Sequence, residues 1–252
     1  MRKITAIIPT YNEAHNIEAA IDSVSWADEL LVVDSFSKDK TVDLAAAKGA
    51  RIIQRVYINS ASQKNWAIPQ ASHEWIILLD ADERIEPALR DEIQAFLKLD
   101  NIPCDAYWIN RRNHFMGKEV KYSGWQGDRV IRFFKRDTCS YEHKEVHAEV
   151  ITEGTIGKLK NKISHFTYKD MDHFLAKVDK YALWSAKDHL EKTPVVTPFH
   201  TWIKPGFRFL KHYILQGGFL DGKVGYTISK VLAWSVYLRY VKIKEMHKKM
   251  DA

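Results

Sequence analysis

The sequence is poor in cysteine and has no long apolar run. Cys104 and Cys139 are the only cysteines among 252 residues, too few for a disulfide framework and too far apart for a thiol metal site. We therefore expect a reducing compartment. The best apolar stretch, residues 231–238, is far shorter than the run of about 18 that a transmembrane helix needs. The sequence predicts no membrane-spanning helix.

Most of the chain carries nearly equal numbers of basic and acidic side chains. Residues 1–199 carry 28 basic and 29 acidic side chains, whereas residues 200–252 carry 10 basic and 3 acidic ones. The formal net charge of +6 therefore comes from the C-terminal fifth. A near-neutral main fold argues against a protein that binds nucleic acid across its fold, because such proteins present a basic surface.

The first hundred residues alternate between short apolar, β-branched runs and helical patterns. The runs are Ile4–Ile8, Leu30–Val33, Arg51–Val56 and Trp75–Leu79. This alternation predicts a parallel sheet with right-handed crossovers. The region from 101 to about 168 is rich in Tyr, Trp, His and Arg and predicts a mixed, partly antiparallel region. We expect three segments: 1–100, 101–195, and a helical, basic and aromatic segment 196–252.

Polar side chains follow three of the predicted strands. The strands run into Pro9–Glu13, Asp34–Asp39 and Asp80–Glu83. Ligands of parallel sheets bind at the carboxyl ends of the strands, so this edge is the candidate site. Asp80 and Asp82 can supply hard oxygen ligands to Mg²⁺ or Mn²⁺, which in turn holds phosphate oxygens. A second Asp-x-Asp pattern, residues 170–172, opens an amphipathic helix and is explained by helix capping.

Together these motifs resemble the nucleotide-sugar half of family 2 glycosyltransferases. They are, in this order, Ile8–Glu13, Val32–Ser35, Lys64–Asn65 and Leu79–Glu83. No glycine-rich phosphate fingerprint follows the first strand, which argues against dinucleotide-binding and P-loop proteins. Later stretches resemble the bacterial subgroup that includes the lipopolysaccharide core β-1,4-glucosyltransferases. They are Trp125–Arg136, Val146–His147, His165 and Gly217–Gly222.

The resemblance implies an α/β fold of the GT-A (Rossmann-like) class. It has a mostly parallel nucleotide-sugar half, a mixed acceptor-side region and C-terminal amphipathic helices. It also implies an inverting transfer from a uridine diphosphate sugar. The implied nucleotide-sugar residues are Pro9, Tyr11, Glu13, Asp34, Lys64 and Asp80, with Asp80 and Asp82 binding the metal and the donor. The sequence departs from the family at Phe36–Asp39, where the family has a small residue followed by Ser or Thr, Asp and Gly.

An inverting transfer needs a base that takes the proton of the acceptor hydroxyl. Three carboxylates of the second half are candidates, in the order Glu149, Asp128 and Glu145. His147 is either a metal or phosphate ligand or a partly exposed strand histidine. A zinc hydrolase site at His143 and His147 is disfavoured, because Lys144 stands where the general-base glutamate should follow the first histidine.

Aromatic and cationic side chains alternate in the C-terminal segment, as in Trp202, Lys204, Phe207 and Arg208. Helices of this composition lie on anionic membrane surfaces. The alternatives are packing on the catalytic fold, with solvated lysines, and nucleic-acid binding.

We expect a transferase that moves a hexose, most simply glucose, to a lipid-linked saccharide of the lipopolysaccharide-core kind. It would act at the cytoplasmic face of the bacterial inner membrane. The competing hypothesis is a non-catalytic sugar-nucleotide or membrane-binding protein of the same fold.

Overall fold

The computed structural model describes residues 2–144 and 148–250. The strands are β1 (Ile4–Thr10), β2 (Glu29–Asp34), β3 (Arg51–Gln54), β4 (Trp75–Leu78), β5 (Glu83–Ile85), β6 (Ala106–Phe115), β7 (Lys118–Glu119), β8 (Arg129–Lys135), β9 (Cys139–Tyr141), β10 (Val150–Thr152) and β11 (Ile156–Tyr168). The α-helices are α1 (Ile17–Ser23), α2 (Thr41–Ala47), α3 (Ser60–Ala67), α4 (Pro87–Leu97), α5 (Met171–His189), α6 (Lys204–Leu210) and α7 (Gly222–Met250). Tighter 3₁₀ turns span Ile68–Gln70 and Gly218–Asp221, and wider π-type turns, Phe199–Ile203 and Lys211–Leu215, flank α6.

The chain divides into two compact units. Unit 1 comprises Met1–Arg112 and Asp128–His165, and unit 2 comprises Asn113–Gly127 and Phe166–Ala252. The pairing of β8 with β4 joins part of the expected segment 101–195 to the parallel strands. The expected division after residues 100 and 195 stays a prediction.

Unit 1 contains a sheet in the order β3-β2-β1-β4-β8-β6-β11-β5. The pairs of β1 with β2 and β4, and of β2 with β3, are parallel. The pairs of β8 with β4 and β6, and of β5 with β11, are antiparallel. The predicted α/β class is confirmed, with a parallel N-terminal half and a mixed remainder.

Both faces of β1 and β4, and of the second half of β2, are buried, which explains their continuous apolar runs. Ile8 packs on one face with α1 and α4, whereas Ile7 packs on the other with α3. At the start of β2, the buried part of the Glu29 carboxylate accepts hydrogen bonds from Thr5, Arg51 and Ser72. Burial raises the pKa of Glu29, but these bonds outweigh it and lower the pKa to about 2.

Unit 2 is mainly helical. Helix α5 packs against α7 through apolar side chains such as Phe174, Val178 and Ile228. Asp170 caps α5, because its side chain accepts a hydrogen bond from the His173 amide, 2.8 Å away. This confirms the capping explanation of the second Asp-x-Asp pattern. No helix within residues 2–144 and 148–250 is long and apolar enough to cross a membrane.

Candidate active site

Two loops at the carboxyl ends of β1 and β2 are joined into one rim, which we define as residues 11–14 and 35–41. The Asn12 amide donates to Ser37 Oγ at 2.8 Å, and Asn12 Oδ1 accepts from the Lys38 amide at 2.8 Å. The Ala14 amide donates to Asp39 Oδ2 at 3.1 Å. Asn12 and Phe36 both have positive φ, 55° and 61°. A bulky residue in this region is strained, and such strain concentrates at functional sites.

Asp34 stabilises this rim through hydrogen bonds of its side chain. Its side chain is fully buried. One carboxylate oxygen accepts hydrogen bonds from the Ser37 amide at 3.0 Å and from Gln54 Nε2 at 2.9 Å, and the other accepts from the Ser37 hydroxyl. The carboxylate predicted to contact the nucleotide thus has both oxygens engaged within unit 1.

The other residues predicted to line the nucleotide pocket lie on or beside the rim. Pro9 is half-buried near the end of β1, and Tyr11 follows with 52% of its side chain exposed. Glu13 accepts a hydrogen bond from Asn16 Nδ2 at 2.9 Å. Burial lowers the pKa of Arg84, and the carboxylates of Asp82 and Glu13 oppose this shift. These charges lie close enough to one another to interact.

Asp80 lies among three cations. Its carboxylate is 3.0 Å from Lys64 Nζ and 3.8 Å from Arg111 Nη2, and it forms an ion pair with Arg132 Nη2. Burial acts to raise the pKa of Asp80, but the charges of Arg132, Lys64 and Arg111 outweigh it and hold the pKa far below its usual range. The three cations therefore favour the ionised form of Asp80.

Glu83 is the second anion of this cluster and has no exposed surface. It accepts hydrogen bonds from Arg132 Nε at 2.9 Å, Arg111 Nη2 at 2.6 Å and the Asp80 amide at 3.0 Å. Lys64, Asp80, Glu83, Arg111 and Arg132 form what we call the charge cluster, with three positive and two negative side chains. No local sequence signal singles out Glu83, Arg111 or Arg132, although Glu83 and Arg132 lie within the motifs Leu79–Glu83 and Trp125–Arg136.

The Lys64–Asn65 motif now has a physical explanation. Lys64 is buried and its ammonium group lies 5.1 Å from the centre of the Tyr141 ring, in addition to its ion pair with Asp80. Asn65 holds the backbone of Tyr141 with two hydrogen bonds, of 2.9 and 2.7 Å. The Tyr141 hydroxyl lies 3.2 Å from Arg132 Nη1. The motif thus anchors the β9–β10 hairpin beside the charge cluster.

Asp82 lies beside His165, with Oδ2 at 3.5 Å from Nε2. The pairing of β5 with β11 brings them together, because it sets His165 opposite Glu83. Across the described part of the chain, no three His, Cys, Asp or Glu side chains could hold a metal on their own. A carboxylate and an imidazole at this separation nevertheless fit a divalent cation, since two bonds of about 2.1 Å can span it and phosphates complete such sites.

The three candidate bases have different surroundings. Asp128 Oδ1 lies 3.6 Å from Arg111 Nη1, so a single guanidinium links Asp128 to the charge cluster, and 34% of the Asp128 side chain is exposed. Glu149 is exposed, and its amide donates to Glu142 Oε2 at 3.1 Å. Glu145 and His147 lie outside the described residues. The geometry therefore bears on Asp128 and Glu149 alone.

Comparison with known proteins gives consistent matches. A family model described as "Glycosyl transferase family 2" matches residues 5–151. An uncharacterized glycosyltransferase of Rickettsia felis is 27% identical and covers 97% of this chain and 90% of its own length. The lipopolysaccharide core biosynthesis glycosyltransferase LpsC of Rhizobium meliloti is 26% identical over 97% of this chain and 93% of its own length.

Among solved structures, a match is glucosyl-3-phosphoglycerate synthase of Mycobacterium tuberculosis in complex with Mn²⁺, uridine diphosphate and glucosyl-3-phosphoglycerate. The TM-score is 0.36 at 24% identity, over 46% of this chain and 45% of that one. The chain thus spans less than half of that structure.

Proposed function

The chain belongs to glycosyl transferase family 2, and we propose that it moves a hexose from a uridine diphosphate sugar to a saccharide hydroxyl, with inversion. The sugar is most simply glucose, and the acceptor belongs to a lipopolysaccharide core or a related glycolipid. The observation that carries this proposal is the charge cluster next to the Asp82–His165 pair, at the carboxyl edge of the sheet. Cationic and metal-binding groups side by side suit a diphosphate leaving group.

The donor binds at the rim and the charge cluster. The cluster has one positive charge in excess, and this excess charge of Arg132, Arg111 and Lys64 attracts the phosphate oxygens. In this proposal Tyr11 and Phe36 face the nucleoside, because both aromatic side chains are about half exposed on a rigid rim. Asp34 keeps the rim in shape through its buried hydrogen bonds.

Asp82 and His165 would hold Mg²⁺ or Mn²⁺. When bound, such an ion neutralises the charge that develops on the leaving diphosphate. Asp80, predicted as a metal ligand, has its oxygens engaged by three cations. We assign it the role of their counter-ion, which keeps these side chains oriented without adding a net negative charge near the donor.

Asp128 is the base in this proposal. It takes the proton of the acceptor hydroxyl while that oxygen forms a bond to the anomeric carbon, and the bond from that carbon to the diphosphate breaks. Its link to the charge cluster through Arg111 supports this role. The predicted role of Glu149 stays a prediction.

The acceptor class rests on the relative from Rhizobium meliloti, whose name gives lipopolysaccharide core biosynthesis and which matches nearly the whole chain. Such acceptors are held in a membrane. We therefore propose that the protein works as a peripheral protein at the cytoplasmic face of the inner membrane.

Calorimetry with uridine diphosphate, with and without Mn²⁺, tests the donor site. We expect metal-dependent binding that both Asp82→Asn and His165→Ala weaken at least about tenfold, since each removes one ligand. Asp137→Asn is the matched control, because this aspartate is 66% exposed and forms its ion pair with Arg136. Metal-independent binding that neither variant changes would refute the assigned site.

A donor screen that measures released uridine diphosphate with a glycolipid acceptor tests the reaction. Asp128→Asn should lower kcat by at least about a hundredfold while leaving donor binding intact, as expected for a lost general base. Glu149→Gln is measured in parallel. If Glu149→Gln abolishes transfer and Asp128→Asn does not, the role passes to Glu149.

A further inference from the structure

Unit 2 presents a stripe of large apolar side chains to solvent. We define the apolar stripe as the exposed side chains Phe199, Trp202, Ile203, Phe207, Leu210, Ile214, Leu215, Phe219 and Leu220. Each has at least half of its surface exposed, and Trp202 and Leu215 reach 75% and 73%. Folded soluble proteins seldom expose so many large apolar side chains in so short a segment. This surface therefore needs a partner.

The stripe follows one face of a helical segment. Five of its members recur every three or four residues, the spacing of side chains on one helix face: Phe199, Ile203, Phe207, Leu210 and Ile214. The helical turns from 199 to 215 would span about 24 Å along the segment axis.

Two polar side chains of the segment are held within unit 2 by hydrogen bonds. His212 is buried, and its Nδ1 lies 2.9 Å from the backbone oxygen of Ser123. Lys204 Nζ donates to the Tyr240 hydroxyl at 2.8 Å. The segment is thus anchored, and the exposure of the stripe belongs to the folded unit.

The charges beside the stripe select the partner. Residues 199–220 contain Lys204, Arg208 and Lys211 and no aspartate or glutamate. A second copy docked through the same surface would face these cations with further cations and no carboxylate. The apolar stripe needs an apolar environment, and the neighbouring cations need anionic groups beside it. A bilayer with anionic headgroups provides both, because its acyl chains are apolar and its headgroups are negatively charged.

The geometry points to residues 199–220 as a docking element that lies in the plane of an anionic membrane. The apolar stripe enters the boundary between headgroups and acyl chains, and the exposed Lys211 meets lipid phosphates. No helix in the described ranges could cross a bilayer, so the element lies on the membrane surface rather than spanning the bilayer. The inference rests on the proposed function in one respect: a membrane-held acceptor requires the enzyme at that surface.

Co-sedimentation of the full chain with vesicles tests this element. We expect low-salt binding to vesicles that contain phosphatidylglycerol, and much weaker binding to vesicles of phosphatidylcholine alone. The double variant Trp202→Ser/Phe207→Ser should lower the partition coefficient at least about tenfold, because it removes two inserting aromatic side chains. Lys211→Glu should lower it on anionic vesicles only. Leu99→Ser is the matched control, since Leu99 is an exposed leucine of unit 1.

Two further measurements make the result decisive. Brominated lipids should quench the fluorescence of the wild type more than that of Trp202→Phe. Light scattering gives the oligomeric state of the protein. A stable dimer that the double variant dissociates would overturn the inference. Wild-type protein that binds no anionic vesicles would also overturn it. Uridine diphosphate binding is measured separately. If the donor binds and vesicles do not, the docking element and the proposed membrane location fail, whereas the proposed transfer from a uridine diphosphate sugar stands. The reverse result rejects the proposed transfer.

Discussion

Glu83 offers a sharp test of the charge cluster. Its carboxylate is wholly buried and accepts hydrogen bonds from Arg132, Arg111 and the Asp80 amide. Glu83→Gln keeps the shape of the side chain but leaves three cations facing a single carboxylate. Removing one partner of a buried ion pair costs about 3–5 kcal/mol, because the remaining charges stay desolvated. Since Asp80 still compensates part of the charge, we expect a loss of about 3 kcal/mol in the free energy of unfolding.

Urea unfolding of the full chain measures this loss. The slope of the free energy of unfolding against urea concentration should stay unchanged, which shows that unfolding still exposes the same surface. Asp91→Asn is the control, because its ion pair with Arg90 is exposed and such pairs contribute about 0–1 kcal/mol. Adding Arg111→Met to Glu83→Gln should recover part of the loss, because the double variant has a better charge balance. A Glu83→Gln protein within about 1 kcal/mol of the wild type would show that the Glu83 carboxylate does not balance the buried cations.

Three further substitutions test the fold and the rim. The pKa of Glu29 is lowered to about 2, so the stabilisation that its carboxylate provides is complete above pH 4.5 and is lost as the pH falls toward 2. In an acid-unfolding experiment, Glu29→Gln should reduce the fall in the free energy of unfolding over this pH range by about 1–2 kcal/mol, after allowance for solvent screening. Phe36→Gly should raise the free energy of unfolding by about 1 kcal/mol, because it relieves a positive φ. Phe36→Gly should also lower the affinity for uridine diphosphate, because it removes an aromatic side chain proposed to face the nucleoside. A Phe36→Gly protein less stable than the wild type would contradict backbone strain at this position. A Cβ on Gly225 would lie 1.8 Å from the backbone oxygen of Gly218, so Gly225→Ala should cost about 1–3 kcal/mol in thermal unfolding, whereas Gly206→Ala meets nothing within 4 Å and should cost nothing.

Local sequence signals predicted the parallel half of the fold and the acidic strand ends. The apolar runs 4–8 and 75–79 correspond to buried strands, because both faces of these strands are covered. Asp34 and Asp80 could be named because each follows an apolar run directly, and Asp82 because it comes two residues after Asp80. The functional assignments of these residues remain predictions.

The partners of these carboxylates could not be predicted from local signals. Arg111 and Arg132 lie on β6 and β8, about 30 and 50 residues from Glu83, and strand register alone decides which face their side chains occupy. The pairing of these strands shifts between Tyr107 and Trp108, which no periodicity reveals. The neighbourhood of His165 and Asp82 likewise depends on the antiparallel register of β5 and β11.

The hydrogen-bonded rim between β1 and β2 has a consequence for the thermodynamics of ligand binding. Ordering one backbone residue costs about 1–2 kcal/mol of conformational entropy. The amides of Asn12, Glu13 and Ala14 already donate to side chains of the neighbouring loop, so this ordering is complete before any ligand arrives. A nucleotide at this edge would bind a preorganised surface, with little entropy penalty from the loops. Slow hydrogen exchange of these three amides in the free protein would be the direct sign of that rigidity.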